Sequence, residues 1–312
     1  MIEASAPGKV ILFGEHAVVY GMPAIAASLG GLRATATISL LPGDTQQNIL
    51  IEAPDIGYSE WLHEATPNDP LPLIVQKFLK SVGIETFDPL HIVVESSIPS
   101  SAGLGSGAAV STALIRALVR YFDEPMSTSE ISDLIYEAEK IHHGTPSGID
   151  NTVVAHERVL FFIRDHEPEF LDLNSPLWIV LGDTGERTPT VSAVSQVRRS
   201  WKEDSTNFED IFQKIGAISR RARKAIIEGE NEDLGSLMNE NQTQLEELGV
   251  SSSRLEKLND AARHANASGA KLSGGGLGGF MIALTDEDNV EPVRLSLIDA
   301  GATATFVSTI ES

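Results

Sequence analysis

The residues able to do chemistry fall in a few short segments. Lys9 is the first Lys or Arg of the chain, with none following until Arg33, and Glu15 and His16 come a few positions after it. Gly103-Leu104-Gly105-Ser106-Gly107-Ala108-Ala109 is glycine-rich and runs into a stretch with helical periodicity. Glycines let a backbone approach a ligand closely, and the free N–H groups of a helix start favour an anion. On the residues alone this loop is either a phosphate cradle or a tight strand-to-helix turn. Asp150 follows Pro146-Ser147-Gly148 and so sits on a rigid bend, either as an acid/base group or as the cap of the next element. Glu139 falls at the edge of a helical apolar stripe, as a half-buried ligand or an exposed acid. A second glycine loop, Gly274 to Gly279, follows Lys271.

Two superficial matches lead elsewhere. Gly103-x-Gly105-x-x-Ala108 with Asp123 twenty residues on has the form of a dinucleotide fingerprint. In that motif the acid ends a second strand, whereas Asp123 lies in Tyr121-Phe122-Asp123-Glu124-Pro125, at the end of the helix itself. Gly274-x-Gly276-x-x-Gly279 follows a helix and precedes a strand, the reverse of the required order. No GxxxxGK[ST] string is present, so the chain is no P-loop protein.

The elements that must position these groups are legible in part. Val10 to Phe13, Leu32 to Leu41 and Leu90 to Glu95 read as strands. Val110, Ala113, Leu114, Ala117, Leu118 and Tyr121 recur at helical spacing. Ser127 and Glu130 form a capping-box pattern, opening a helix with Ile131, Leu134, Ile135, Ala138 and Ile141 on one face and a stop at Gly144-Thr145-Pro146. Phe161 and Phe162 close the first half. Leu177 to Leu181 predicts a strand, and 207–249 predicts helix with a break near Gly229-Glu230-Asn231. Arg254 to Ala267 is a further helix; Met281 to Leu284 and Ala302 to Ser308 are further strands. Two domains are expected, 1–175 and 176–312.

With 23 Lys and Arg against 44 Asp and Glu, the net charge of −21 repels nucleic acid and anionic membranes. An anionic small substrate would need local positive groups. The chain has no cysteine, which excludes disulfides and thiolate chemistry. The longest uncharged stretch, Ser96 to Ile115, is broken by Pro99, Gly103, Gly105 and Gly107 and does not read as a membrane span. A cytoplasmic protein is expected.

Three ordered segments carry a resemblance: Pro7-Gly8-Lys9 through Gly14-Glu15-His16 to Tyr20-Gly21; Ile98-Pro99 through Ser106 to Ala109; and Lys271 to Phe280. In order and spacing they resemble the three motifs of the GHMP kinases, across nearly the whole chain. Within that superfamily Gly144 to Asn151, and Met238 to Gln242 with Leu248 to Ser251, resemble the mevalonate kinase family.

The resemblance implies a two-domain α/β and α+β fold: an N-terminal α/β domain with a left-handed β-α-β crossover and a C-terminal ferredoxin-like α+β domain. It implies Mg-ATP-dependent phosphorylation of (R)-mevalonate at the 5-hydroxyl. By position Asp150 is the catalytic base and Lys9 its cationic partner. Pro99, Ser100, Ser101, Ala102, Gly103, Leu104, Gly105, Ser106, Gly107, Ala108 and Ala109 hold the nucleotide. Glu139 and Ser106 hold Mg²⁺. Glu15, His16, Tyr20, Gly274, Gly275 and Gly276 line the substrate side. The family usually has a serine where Gly107 stands, a departure in the metal shell. Homodimers are common in the family. The other acceptors to weigh are those of phosphomevalonate kinase and mevalonate 3-kinase, and the other class is an inactive GHMP-fold regulator.

Overall fold

The computed structural model describes residues 1–42, 48–99, 103–143 and 147–311, less the side chains of 142 and 143. Ser100, Ser101 and Ala102 of the first loop, and the expected helix stop Gly144-Thr145-Pro146, lie outside the described residues. The first elements are β1 (Ile2–Phe13), β2 (Ala24–Leu40), β3 (Ile49–Ala53), β4 (Tyr58–Trp61), α1 (Pro70–Val82), β5 (Leu90–Ser96), α2 (Ser106–Phe122), α3 (Thr128–His143) and α4 (Ile149–His156). Next come β6 (Val159–Phe162), β7 (Glu169–Leu171), β8 (Leu177–Asp183), α5 (Thr190–Glu203), α6 (Ser205–Glu228) and α7 (Glu232–Glu247). The chain closes with α8 (Ser253–His264), β9 (Gly269–Ser273), β10 (Phe280–Thr285), α9 (Val290–Asp299) and β11 (Ala304–Ile310).

The chain forms two compact units. The first takes Met1–Gly8, Leu32–Pro99 and Gly105–Glu157. In it the strand order is β4-β3-β5-β2. The second half of β2 runs antiparallel to β5, from Ala34 opposite Ser96 to Leu40 opposite Leu90. Its alternate residues Leu32, Ala34, Ala36 and Ile38 are buried, the period-2 signature of a strand with one core face. β3 is parallel to β5, and α1 lies on the crossover between them. Small residues on α2, among them Ala108, Ala109, Ala113 and Ala117, are fully packed. Asp123 caps its C-terminus with φ 55°, as its place at a helix end requires.

α3 begins with the expected capping box. Glu130 N–H donates to Ser127 Oγ at 3.2 Å, and Ser127 N–H donates back to Glu130 Oε2 at 2.7 Å. Ile131, Ile135 and Ala138 are buried, but Ile141 is 48% exposed. At about 100° per residue Ile141 lies roughly 80° round the helix from Ile131, at the far edge of the stripe. Glu139 lies about as far round on the opposite edge and is half-buried.

The second unit takes Lys9–Gly31, Ser100–Leu104 and Arg158–Ser312. Its four-stranded sheet has the order β11-β8-β10-β9, every neighbour antiparallel. The chain order is strand, helices, strand, strand, helix, strand, so the sheet is the ferredoxin-like arrangement that the resemblance implies. Helices α5–α9 supply the apolar cover, with Phe208, Phe212, Leu245, Leu255 and Leu297 in one core. The foreseen break in the long helical stretch is real: Gly229 ends α6 with φ 75°. The first half of β2 pairs with β6, and β6 with β7.

Two strands run further than the local pattern predicts. β1 starts at Ile2 and passes through Pro7 and Gly8; β2 starts at Ala24 and passes through Gly30 and Gly31. The two strands pair with each other, and such pairing overrides local propensity. Gly31 is required for a separate reason. A Cβ there would lie 2.8 Å from the Val307 carbonyl oxygen, and its N–H donates to Ser308 Oγ at 3.1 Å, so β11 crosses too closely for a side chain.

Candidate active site

Of the residues that the sequence singles out, Ser106, Glu139 and Asp150 belong to the first unit. Lys9, Glu15, His16, Tyr20, Gly103, Leu104 and Gly274 to Gly276 belong to the second.

In the first unit, α2 starts after Gly105, whose φ of 72° only glycine adopts freely. Ser106 is the first helical residue, and no side chain caps this end among the described residues. The first-turn amides are therefore left as donors, the arrangement that binds anions. Ala108 and Ala109 are buried in the core and can take part only through their backbone. Gly107 is exposed, and a Cβ built on it meets nothing within 4 Å. The departure from serine there has no steric cause.

Asp150 lies in the first turn of α4, partly buried, after Gly148 at φ 85°. Both ends of this short helix are anchored. Asn151 Nδ2 donates to Ser132 Oγ at 2.9 Å and to its carbonyl oxygen at 3.2 Å, on α3. At the other end Arg33 Nη1 and Nη2 donate to Glu157 at 2.9 and 3.2 Å. Arg116 bonds the same carboxylate and donates to the Ala155 carbonyl oxygen at 2.9 Å. Burial pushes the Glu157 carboxyl up, but the hydrogen bonds and charges of the two arginines outweigh it and hold it below the usual range. The sequence reading did not find this clamp, because Arg33, Arg116 and Glu157 are far apart in the chain and carry no motif.

In the second unit, β1 delivers Lys9, and the tight 310 turn Ala17–Tyr20 follows Glu15 and His16. Lys9, Glu15 and His16 are 6%, 3% and 6% exposed, so three ionisable side chains of this segment are kept inside. Lys9 N–H donates to the Leu104 carbonyl oxygen at 2.8 Å, which ties β1 to the edge of the first glycine loop. Lys271, fully buried on β9, donates to Glu15 Oε1 and, at 2.7 Å, to the Leu272 carbonyl oxygen. Burial raises the Glu15 pKa, opposed by the charges of Lys271 and Lys9. Burial likewise lowers that of Lys271, opposed by Glu15. His16 adopts φ 60°, a left-handed conformation that strains a side-chain-bearing residue. Its Nε2 lies 2.9 Å from the Gly275 carbonyl oxygen.

Tyr20 is placed differently from its neighbours. Its ring stacks on Phe212 at 4.1 Å and meets Trp201 edge-on at 5.3 Å, so it builds an aromatic cluster against α5 and α6. Burial pushes its hydroxyl pKa up.

The second glycine loop is held by its surroundings. Leu277 N–H donates to the Val250 carbonyl oxygen at 2.7 Å, and the Leu277 carbonyl accepts from Thr188 Oγ1 at 2.7 Å. These bonds fix Leu277 at φ 57°, which explains how a leucine stands in a run of glycines. Thr184 N–H donates to the Gly279 carbonyl oxygen and Gly279 N–H to that of Glu186, both at 2.9 Å.

Among the described residues no group of three or more His, Asp or Glu side chains is arranged to hold a metal ion. Glu139 is half-buried on α3, and Ser106 is the first residue of α2. No helix among the described residues is long and apolar enough to cross a membrane.

Comparison with known proteins agrees with this geometry. Residues 72–157 match the GHMP kinases N terminal domain and residues 222–303 the GHMP kinases C terminal model. The chain is 36% identical over 328 residues to a mevalonate kinase of Pyrococcus furiosus, covering 96% of this chain and 93% of that one. It superimposes on the Methanococcus jannaschii mevalonate kinase with TM-score 0.88 and 26% identity, covering 99% and 98% of the two chains. It superimposes on an L. major mevalonate kinase solved in complex with R-mevalonate with TM-score 0.86 and 26% identity, covering 100% and 96%. The chain belongs to the GHMP kinases, and within them to the mevalonate kinase family.

Proposed function

We propose that this protein transfers the γ-phosphoryl group of Mg-ATP to the 5-hydroxyl of (R)-mevalonate. The observation that carries this reading is similarity to mevalonate kinases over nearly the full length of the chain.

Phosphoryl transfer needs positioning, charge stabilisation and a proton acceptor more than covalent chemistry. Asp150, on a helix anchored at both ends, accepts the proton of the attacking hydroxyl. The oxygen then bonds to the γ-phosphorus as the bond to ADP breaks. Lys9 stabilises charge on the transferring group. The amides at the start of α2 and the glycines from Gly103 to Gly107 hold phosphate oxygens. Glu139 and Ser106 hold Mg²⁺, which neutralises phosphate charge when bound. Glu15, His16 and Gly274 to Gly276 form the acceptor side, where buried Lys9 supplies the local positive charge that an anionic acceptor needs. The reading includes a cytoplasmic location and self-association into a homodimer, which light scattering tests.

A coupled ADP-release assay with mevalonate, phosphomevalonate, homoserine and galactose tests the assignment, followed by phosphorus NMR of the product. A 5-phosphate from mevalonate is expected. A 3-phosphate, or turnover of phosphomevalonate alone, overturns the acceptor; no turnover at all favours an inactive regulator.

A further inference from the structure

Lys271 has no role in the reaction as proposed, yet its placement is costly. It is fully buried on β9, and its ammonium meets the carboxylate of Glu15, 256 residues away in the chain. β9 is held so that this contact cannot drift. Leu272 N–H donates to Gln242 Oε1 at 2.9 Å and Ala270 N–H to Asn239 Oδ1 at 3.0 Å, both side chains from α7. On its other edge β9 is registered with β10, Lys271 opposite Ile282. A buried ion pair is weak support for stability, and apolar residues of the same volume often replace one without loss. The pair therefore calls for a reason other than stability.

Glu15 supplies one. Its second oxygen, Oε2, is buried and has no hydrogen-bond partner among the described residues. Two cations act on this carboxylate: Lys271 in contact, and Lys9 through its charge. His16 is the adjacent titratable group, and burial lowers its pKa.

We infer that Lys271 is a positioning residue that keeps Glu15, on the acceptor side, charged and fixed. This rests on the phosphoryl-transfer reading, in which Glu15 lines the acceptor side. Without Lys271 the buried Glu15 carboxyl takes up a proton more readily, because burial alone disfavours its charged form.

The test uses the full-length enzyme and Lys271→Arg, Lys271→Met, Glu15→Gln and the double variant Lys271→Met/Glu15→Gln. Lys271→Met is expected to lower kcat/KM at neutral pH by about ten- to a hundredfold, less than the 10²–10³ of a direct donor. The loss should shrink as pH rises and Glu15 regains its charge, while Lys271→Arg keeps most activity and nucleotide affinity is unchanged in all. A loss equal at every pH overturns the inference, because a structural defect has that form. If Lys271→Met does not fold, the double variant still decides, since it leaves no unpaired buried charge. Its kcat/KM should equal that of Glu15→Gln, and losses that multiply overturn the coupling. The acceptor is whichever alcohol the wild type phosphorylates, so failure with mevalonate sinks the acceptor assignment and leaves this test standing.

Discussion

His16 Nε2 and the carbonyl oxygen of Gly275 lie 2.9 Å apart, joining the N-terminal turn to the second glycine loop across 259 positions of sequence. A carbonyl can only accept, so Nε2 carries the proton and donates. Burial lowers the His16 pKa from its ordinary value of 6.5, against the Gly275 bond, which raises it. In the neutral ring Nδ1 is then an acceptor, suited to a substrate hydroxyl rather than to a carboxylate. A histidine with a depressed folded pKa contributes stability above its unfolded pKa and loses it as pH falls through the folded value. We expect His16→Asn to cost about 1 kcal/mol at pH 8, the worth of one hydrogen bond. The gap between wild type and variant should narrow below pH 6.5. Urea midpoints across pH measure it, and a gap that widens toward acid means that the ring is protonated in the folded state.

Asp150→Asn preserves shape and the anchored helix but not the proton acceptor. A loss of about 10²–10⁴-fold in kcat is expected, roughly 3–5 kcal/mol of barrier, with ATP affinity largely kept. Retention of more than about a tenth of wild-type kcat removes Asp150 from the role of base.

Glu139→Gln keeps the half-buried side chain and removes its charge. The Mg²⁺ concentration for half-maximal rate should rise about tenfold, or ~1.4 kcal/mol, with little change in KM for mevalonate. An unaltered Mg²⁺ titration returns Glu139 to an ordinary helix acid.

Gly274 and Gly276 share a left-handed backbone, φ 89° and 73°, but not the same surroundings. A Cβ at Gly276 would lie 2.2 Å from the Val250 carbonyl oxygen, whereas one at Gly274 meets nothing within 4 Å. Gly274→Ala should cost about 1 kcal/mol for the conformation alone. Gly276→Ala should cost about 2 kcal/mol or more, because the loop must also move. Thermal melts of the two variants give the comparison, and equal costs indicate that the loop yields freely at both positions.

Local chemistry along the chain was enough for the elements whose signals are self-contained. Ser127 with Glu130, the break at Gly229 and the glycine turn ahead of Ser106 were all readable, because a cap or a positive φ depends on neighbours in sequence. The order of the three glycine-bearing segments carried the family. Tertiary structure decided what depends on distant partners. Pairing with each other extends β1 and β2 through Pro7, Gly30 and Gly31, against local propensity. Arg33 and Arg116 hold Glu157 and so anchor the helix of Asp150. Tyr20 turns to Phe212 and Trp201, and Leu277 keeps a glycine's conformation through Val250 and Thr188. Lys271 reads in sequence as the lysine that opens the second glycine loop, and only the structure places it on β9. Only the fold gives it Glu15 as a partner, since a buried charge is stable when its counter-charge is brought to it, and that partner lies at the other end of the chain.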